Sequence, residues 1–120
     1  MKSASIRSSF FTHPMARLEQ LQALLEQDPK DPFTRYAIGL EHAKAGKYED
    51  AIRTLEELRE QSPDYVPTYY MLAGYYRKTG DRDSAKLIYQ EGIVQARQAN
   101  DRHAQSELQA AFDELEDETE

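Results

Sequence analysis

The sequence predicts an all-α fold arranged as repeating helix–turn–helix units. Three observations predict it. From Met15 onward, apolar residues recur at spacings of three and four. No segment alternates apolar and polar residues over a useful length, so strands are not indicated. Shifting the chain by 34 residues lays one helical pair over the next.

The helices follow in order from local signals. Leu18, Leu21, Leu24 and Leu25 form one stripe that ends at Asp28-Pro29. Pro32 suits the first turn of a second helix, because a proline lacks only an N–H that the first turn cannot pair. That helix reaches about Ala45 and Gly46 ends it. A third helix carries Tyr48, Ala51, Ile52, Leu55 and Leu58 and stops at Ser62-Pro63. Pro67 opens a fourth, with Tyr69, Leu72, Ala73 and Tyr76, closed by Gly80. Asp81 is the expected N-cap of a fifth helix bearing Ala85, Ile88, Tyr89 and Ile93. Asn100-Asp101 starts a sixth with Ala104, Leu108, Ala111 and Leu115.

The 34-residue shift gives seven identities: Thr34/Thr68, Tyr36/Tyr70, Lys44/Lys78, Gly46/Gly80, Ala51/Ala85, Glu57/Glu91 and Gln61/Gln95. Small residues recur where helices must approach closely (Gly39, Ala51, Ala73, Ala85), and large ones recur where space must be filled. The first copy reads Ile38, Gly39, His42, Gly46, Ala51, Leu55, Leu58, Pro63; the second reads Tyr69, Leu72, Ala73, Tyr76, Gly80, Ala85, Tyr89, Gly92. This order of large, small, aromatic, glycine, alanine and bulky residues resembles the tetratricopeptide repeat family. The departures are Arg35 at a bulky apolar position, His42 at an aromatic one, and Arg97 where a second closing proline would fall. Arg97 lets the fifth helix run on to about Ala99.

The resemblance implies a right-handed α-solenoid with a terminal capping helix. The expected organisation is a leader over residues 1–14, a half-repeat over 15–29, repeats over 32–65 and 66–99, a capping helix over 100–116 and an acidic tail over 117–120. Repeat units cannot bury both faces alone, so the ends need covers. Leu18, Leu21, Leu24 and Leu25 are expected to cover one end, and Ala104, Leu108, Ala111 and Leu115 the other. The latter spacing is also heptad-like, so a homodimer through this seam is the alternative.

The helices that open each repeat carry a second stripe. Phe33, Tyr36, Leu40 and Lys44 lie together on one, and Tyr70, Gly74, Arg77 and Lys78 on the next. A solvated face does not ordinarily offer this much aromatic surface. In the family this face lines a concave groove where extended or helical peptides dock. The resemblance therefore implies a protein-binding module that takes a short partner segment. Tyr36 and Tyr70 are expected as an aromatic ladder, with Gly74 leaving room and Lys44, Arg77 and Lys78 lining one end. One variant of the family grips a terminal carboxylate with lysines and asparagines; those positions hold Tyr36, Leu40 and Gly74 here, so that clamp is absent. The alternatives are that the terminal helix or Phe10-Phe11 fills the groove, or that this tyrosine face joins two copies.

Charge and composition narrow the function further. The net charge of -7 is concentrated in residues 113–120, which hold six acids and no base, leaving 16 acids against 15 bases elsewhere. A nucleic-acid-binding body would need a far more basic face. The chain has no cysteine, which removes disulfides, thiolate metal sites and cysteine nucleophiles. His13, His42 and His103 have no ligand or triad spacing, and His42 is expected as a hydrogen-bonded core residue. Ser3, Ser5, Ser8 and Ser9 lack a nucleophile elbow, and no phosphate loop or zinc motif is present. Neither catalysis nor a cofactor is expected.

Residues 1–14, MKSASIRSSFFTHP, combine Lys2, Arg7 and four serines without an acid. They lack the apolar stretch of a secretory signal, and a transit peptide fits their Ser/Arg bias only weakly. The expectation is a disordered leader, with Met15 an alternative start of translation. No apolar run approaches the ~20 residues of a membrane span, and the expected location is the cytoplasm.

Overall fold

The computed structural model describes residues 14–118. Six helices follow one another: α1 (Pro14–Gln27), α2 (Pro32–Lys44), α3 (Tyr48–Gln61), α4 (Pro67–Lys78), α5 (Arg82–Gln98) and α6 (Arg102–Asp117). Each packs on the next, and α4 also touches α6 across α5. Among the described residues there is no strand. The result is an all-α solenoid. The leader expected over residues 1–14 lies almost wholly outside the described residues; only Pro14 is seen, as the first residue of α1.

Three turns share one construction. Gly46, Gly80 and Asn100 have φ of 81°, 84° and 58° after α2, α4 and α5. Only glycine occupies that region without cost, and asparagine tolerates it best among the rest. The next amide in each case reaches back five residues at 2.9 Å, from Lys47 to the His42 carbonyl, Asp81 to Tyr76 and Asp101 to Ala96. This closes the helix end that would otherwise leave carbonyls unpaired. Asp81 and Asp101 then cap the following helices, their carboxylates accepting from the Ser84 and Ala104 amides at 3.1 and 3.0 Å. Tight turns of this kind leave successive helices antiparallel and in contact.

The core lies between the helix layers. Ala51, Leu55, Tyr69, Leu72, Ala73 and Ala85 have no exposed surface. Small residues set the closeness of approach. A Cβ on Gly39 would lie 2.6 Å from Leu55 Cδ2, and one on Gly92 would lie 2.5 Å from Tyr69 Cβ. Both are well inside ordinary van der Waals contact. Across the repeats, Arg59 pairs with Glu56 and Glu91 at 2.8 Å each, joining α3 to α5. Tyr76 adds a hydroxyl donor to this network, to Glu56, and the Tyr69 hydroxyl lies 3.4 Å from Glu91 while donating to the Pro63 carbonyl.

The departures from the repeat pattern have visible consequences. Arg35 keeps a largely covered side chain by donating to the Pro29 carbonyl at 3.1 Å and to Glu57 at 3.3 Å. Its aliphatic stem fills the place of an apolar residue while its head finds acceptors. His42 corrects an expectation. It is half-buried, but its Nδ1 is enclosed without a hydrogen-bond partner. An imidazole is shorter than the phenol of its repeat mate Tyr76, which does reach a carboxylate. Leu24 is a second correction, being 52% exposed where burial was expected. It lies about 100° round the helix from Leu25, and among the described residues α1 packs chiefly on α2.

At the other end α6 covers the array. Leu108 and Leu115 are 1% and 2% exposed, buried within their own chain. A dimer through this seam would first have to strip α6 from α5. The acidic end is also more ordered than a solvated tail. Glu114 and Glu118 pair with Arg77 at 3.1 and 2.7 Å, and Glu116 with Lys86 at 2.8 Å. Carboxylates near a helix C-terminus face the negative end of its dipole, and these cations offset that repulsion.

Candidate partner-binding groove

The groove is built from α2 and α4, the opening helices of the two repeats. Tyr70, Gly74 and Lys78 stand four apart on α4 and therefore form a row along one side of it. Tyr36, Leu40 and Lys44 form the equivalent row on α2. On the α2 side of the α4 row lies a pocket of about 460 Å³ whose walls include Leu40, Ala43, Tyr48, Met71 and Tyr75. On the α6 side lies a second, of about 520 Å³, bounded by Arg77, Arg82, Tyr89, Leu115 and Glu118. Both are bounded by Tyr70, Gly74 and Lys78. A Cβ at Gly74 would meet nothing within 4 Å. Gly74 is thus a saddle in the ridge that the two pockets share.

The eight residues singled out from the sequence do not all meet here. Leu40, Lys44, Tyr70, Gly74 and Lys78 line the first pocket, and Arg77 lines the second. Phe33 and Tyr36 line neither. Phe33 is 64% exposed at the start of α2. Tyr36 is half-buried against Tyr65, ring centroids 5.8 Å apart and edge to face. Burial first, and then the neighbouring Tyr65 phenol, raises its pKa. The expected Tyr36–Tyr70 ladder is therefore replaced by two separate pairs, since Tyr70 packs edge-on against Tyr89 at 6.4 Å.

The floor of the first pocket comes from residues that the sequence pattern did not single out for it. Tyr48 and Tyr75 pack at 5.8 Å with a tilt of 49°. Burial, then the Tyr36 and Tyr48 phenols, pushes the Tyr75 hydroxyl up to about 12. Tyr75 adjoins Gly74 in sequence, which was the available signal; its meeting with Tyr48 depends on how α3 crosses α4. Met71 adds an unbranched side chain able to adjust to different occupants.

Charge is distributed differently from the expected basic edge. Lys44 is paired with Glu41 at 3.6 Å, and Arg77 with Glu114 of α6 and with Glu118, the residue that caps it. The Tyr89 hydroxyl first, and then Glu114 and Glu118, hold the Arg77 guanidinium above its ordinary pKa against the opposing effect of burial. Lys78 is exposed and has no ion pair among the described residues. Among those residues no group of three His, Cys, Asp or Glu side chains is placed to hold a metal. No helix among them is long and apolar enough to cross a membrane.

The repeated helix pair, its glycine turns and its small-residue contacts agree with a sequence match of the tetratricopeptide repeat to residues 42–113. The chain belongs to the tetratricopeptide repeat family. A tetratricopeptide repeat domain protein of Salinibacter ruber, solved in solution, is 44% identical with a TM-score of 0.71, over 74% of this chain and 90% of that one. A TPR repeat-containing protein of Pseudomonas aeruginosa is 25% identical over 91 residues, 76% of this chain and 87% of its own. The TPR2B domain of yeast Sti1, solved as a complex with pHsp70, has a TM-score of 0.80 at 14% identity over 98% of this chain and 90% of its own, a likeness of fold alone. The match runs from the end of α2 through most of α6.

Proposed function

We propose that this tetratricopeptide repeat chain is a protein-interaction module that takes a short partner segment in the furrow across α4. The observation that carries the reading is the pair of pockets flanking the Tyr70, Gly74 and Lys78 row, with Gly74 opening the ridge between them. The chain's own terminal helix borders the second pocket and leaves the first to Leu40, Tyr48, Met71 and Tyr75. Partner complexes of the same fold, such as yeast TPR2B with pHsp70, support this use of it. Tyr70 is the anchor: 46% exposed, braced edge-on by Tyr89, and common to both pockets. A tyrosine offers apolar area and a hydroxyl while losing little rotamer entropy.

Selection of a random 12-residue peptide library on the purified protein tests the reading. Enriched peptides should bind the Tyr70→Ala protein about 5–30-fold more weakly, the equivalent of ~1–2 kcal/mol. Tyr36→Ala is a poorer probe, because Tyr36 packs against Tyr65 and its loss would also reduce stability. A library that yields no enriched peptide, or peptides indifferent to Tyr70→Ala, refutes groove binding. Sedimentation of the free protein addresses self-association through the tyrosine face: a stable dimer abolished by Tyr70→Ala would favour that use instead.

A further inference from the structure

The second pocket holds more cations than its own chain neutralises. Arg77, Lys78 and Arg82 line it against one carboxylate, Glu118. Lys78 has no ion pair among the described residues. Arg82 donates through Nη2 to the Leu115 carbonyl, but its Nε is buried without a partner. Glu118 reaches Arg77 at 2.7 Å while its side chain remains 53% exposed, and Glu114 does so at 3.1 Å with 69% exposed. Ion pairs whose carboxylates are this exposed contribute little to stability, so a competing carboxylate can displace them at small cost.

We propose that this pocket receives an acidic side chain of the bound partner segment, which takes the place of Glu118 on Arg77 and adds Lys78 as a second cation. The terminal helix thus presents a resident carboxylate that competes with the partner. The proposal rests on the groove reading above and specifies the partner's chemistry: an apolar residue for the first pocket, then an acid for the second. It uses different residues from a lysine-and-asparagine clamp, whose positions hold Tyr36, Leu40 and Gly74. Charge complementarity argues for it, since a neutral or basic occupant would leave Lys78 without a counter-charge.

The peptides enriched on the parent protein provide the probe. Asp or Glu should be over-represented in them relative to the starting library. For one synthetic peptide, changing its acid to the amide should weaken binding at least about threefold. That loss should shrink on the Lys78→Ala protein, where Arg77 alone still answers the acid; Lys78 has no ion pair among the described residues, so the variant breaks none there. Glu118→Gln should tighten the acidic peptide by a similar factor and leave its amide version unchanged. Melting curves of both variants serve as the check that α6 stays docked. Enriched peptides without acids, or equal affinity on the parent and Glu118→Gln proteins, overturn the proposal while the groove reading stands. The absence of any enriched peptide removes the groove reading and this one with it.

Discussion

Gly92 and Gly74 both lie inside helices, yet replacing each with alanine should move stability in opposite directions. At Gly92 the new Cβ would lie 2.5 Å from Tyr69 Cβ, 3.0 Å from Cγ and 3.2 Å from Leu108 Cδ1. Carbon atoms pack at about 3.5–4.0 Å, so α5 must retreat by roughly 1 Å or Tyr69 must move. Tyr69 has no exposed surface and donates its hydroxyl to the Pro63 carbonyl, so it has nowhere to go. Overpacking of this kind costs ~1–3 kcal/mol, and the obstructing atom, fixed to backbone, places Gly92→Ala near the upper end. Alanine's helix preference returns about 1 kcal/mol, leaving a net loss of ~1–2 kcal/mol. At Gly74 nothing lies within 4 Å, so the preference acts alone. Gly74→Ala should gain ~0.5–1 kcal/mol. Urea unfolding followed by far-UV circular dichroism measures both. The expected separation of ~1.5–3 kcal/mol corresponds to about 5 °C or more in Tm. A Gly92→Ala protein as stable as the parent would refute the close approach of α5 to Tyr69. A destabilised Gly74→Ala would show that the saddle is not open.

Ala51→Leu and Ala85→Leu should each lower stability by ~1–3 kcal/mol or more, because both sites are fully enclosed at repeat-equivalent positions; two unchanged urea midpoints would refute the register. Alkaline pH should also destabilise the fold. Burial raises the pKa of Tyr69, Tyr75 and Tyr76 above the ordinary 10.0, with Tyr75 pushed up to about 12. The neutral phenols therefore favour the folded chain fully below pH 10, and that contribution is lost as pH rises through about 12, where Tyr75 ionises in the fold as well. Melting temperature should fall across that window, and less steeply in Tyr75→Phe; a flat profile would contradict the burial of these hydroxyls.

Much of the scaffold was legible because its signals are local. Pro32 and Pro67 fit the first turn of a helix, and Gly46 and Gly80 supply the positive φ that reverses the chain. Asp81 and Asp101 cap the helices that follow, and Ala51 and Ala85 repeat the same enclosed position. Each depends on a few neighbouring residues or on a period that the sequence states directly. Of the residues named for a candidate groove, Leu40, Tyr70, Gly74 and Lys78 line one pocket. The periodicity gave a helix face but not its neighbour, so it could not tell that Tyr36 turns to Tyr65 while Tyr48 closes on Tyr75.

Only the tertiary structure decided how the two ends of the array are used. The sequence alone determined that the last helix is amphipathic and that its end is acidic. Whether its leucine seam meets α5 or another copy, and whether its acids face water or Arg77, depends on groups far apart in the chain. Arg77 and Glu118 are 41 residues apart, and Arg59 and Glu91 are 32 apart. Such pairs arise from the angles and depths at which helices cross, which are set by side chains as small as Gly92 lying against Tyr69. Helical periodicity fixes the direction of a side chain about its own axis; the partner it meets is fixed by the packing of the axes against one another.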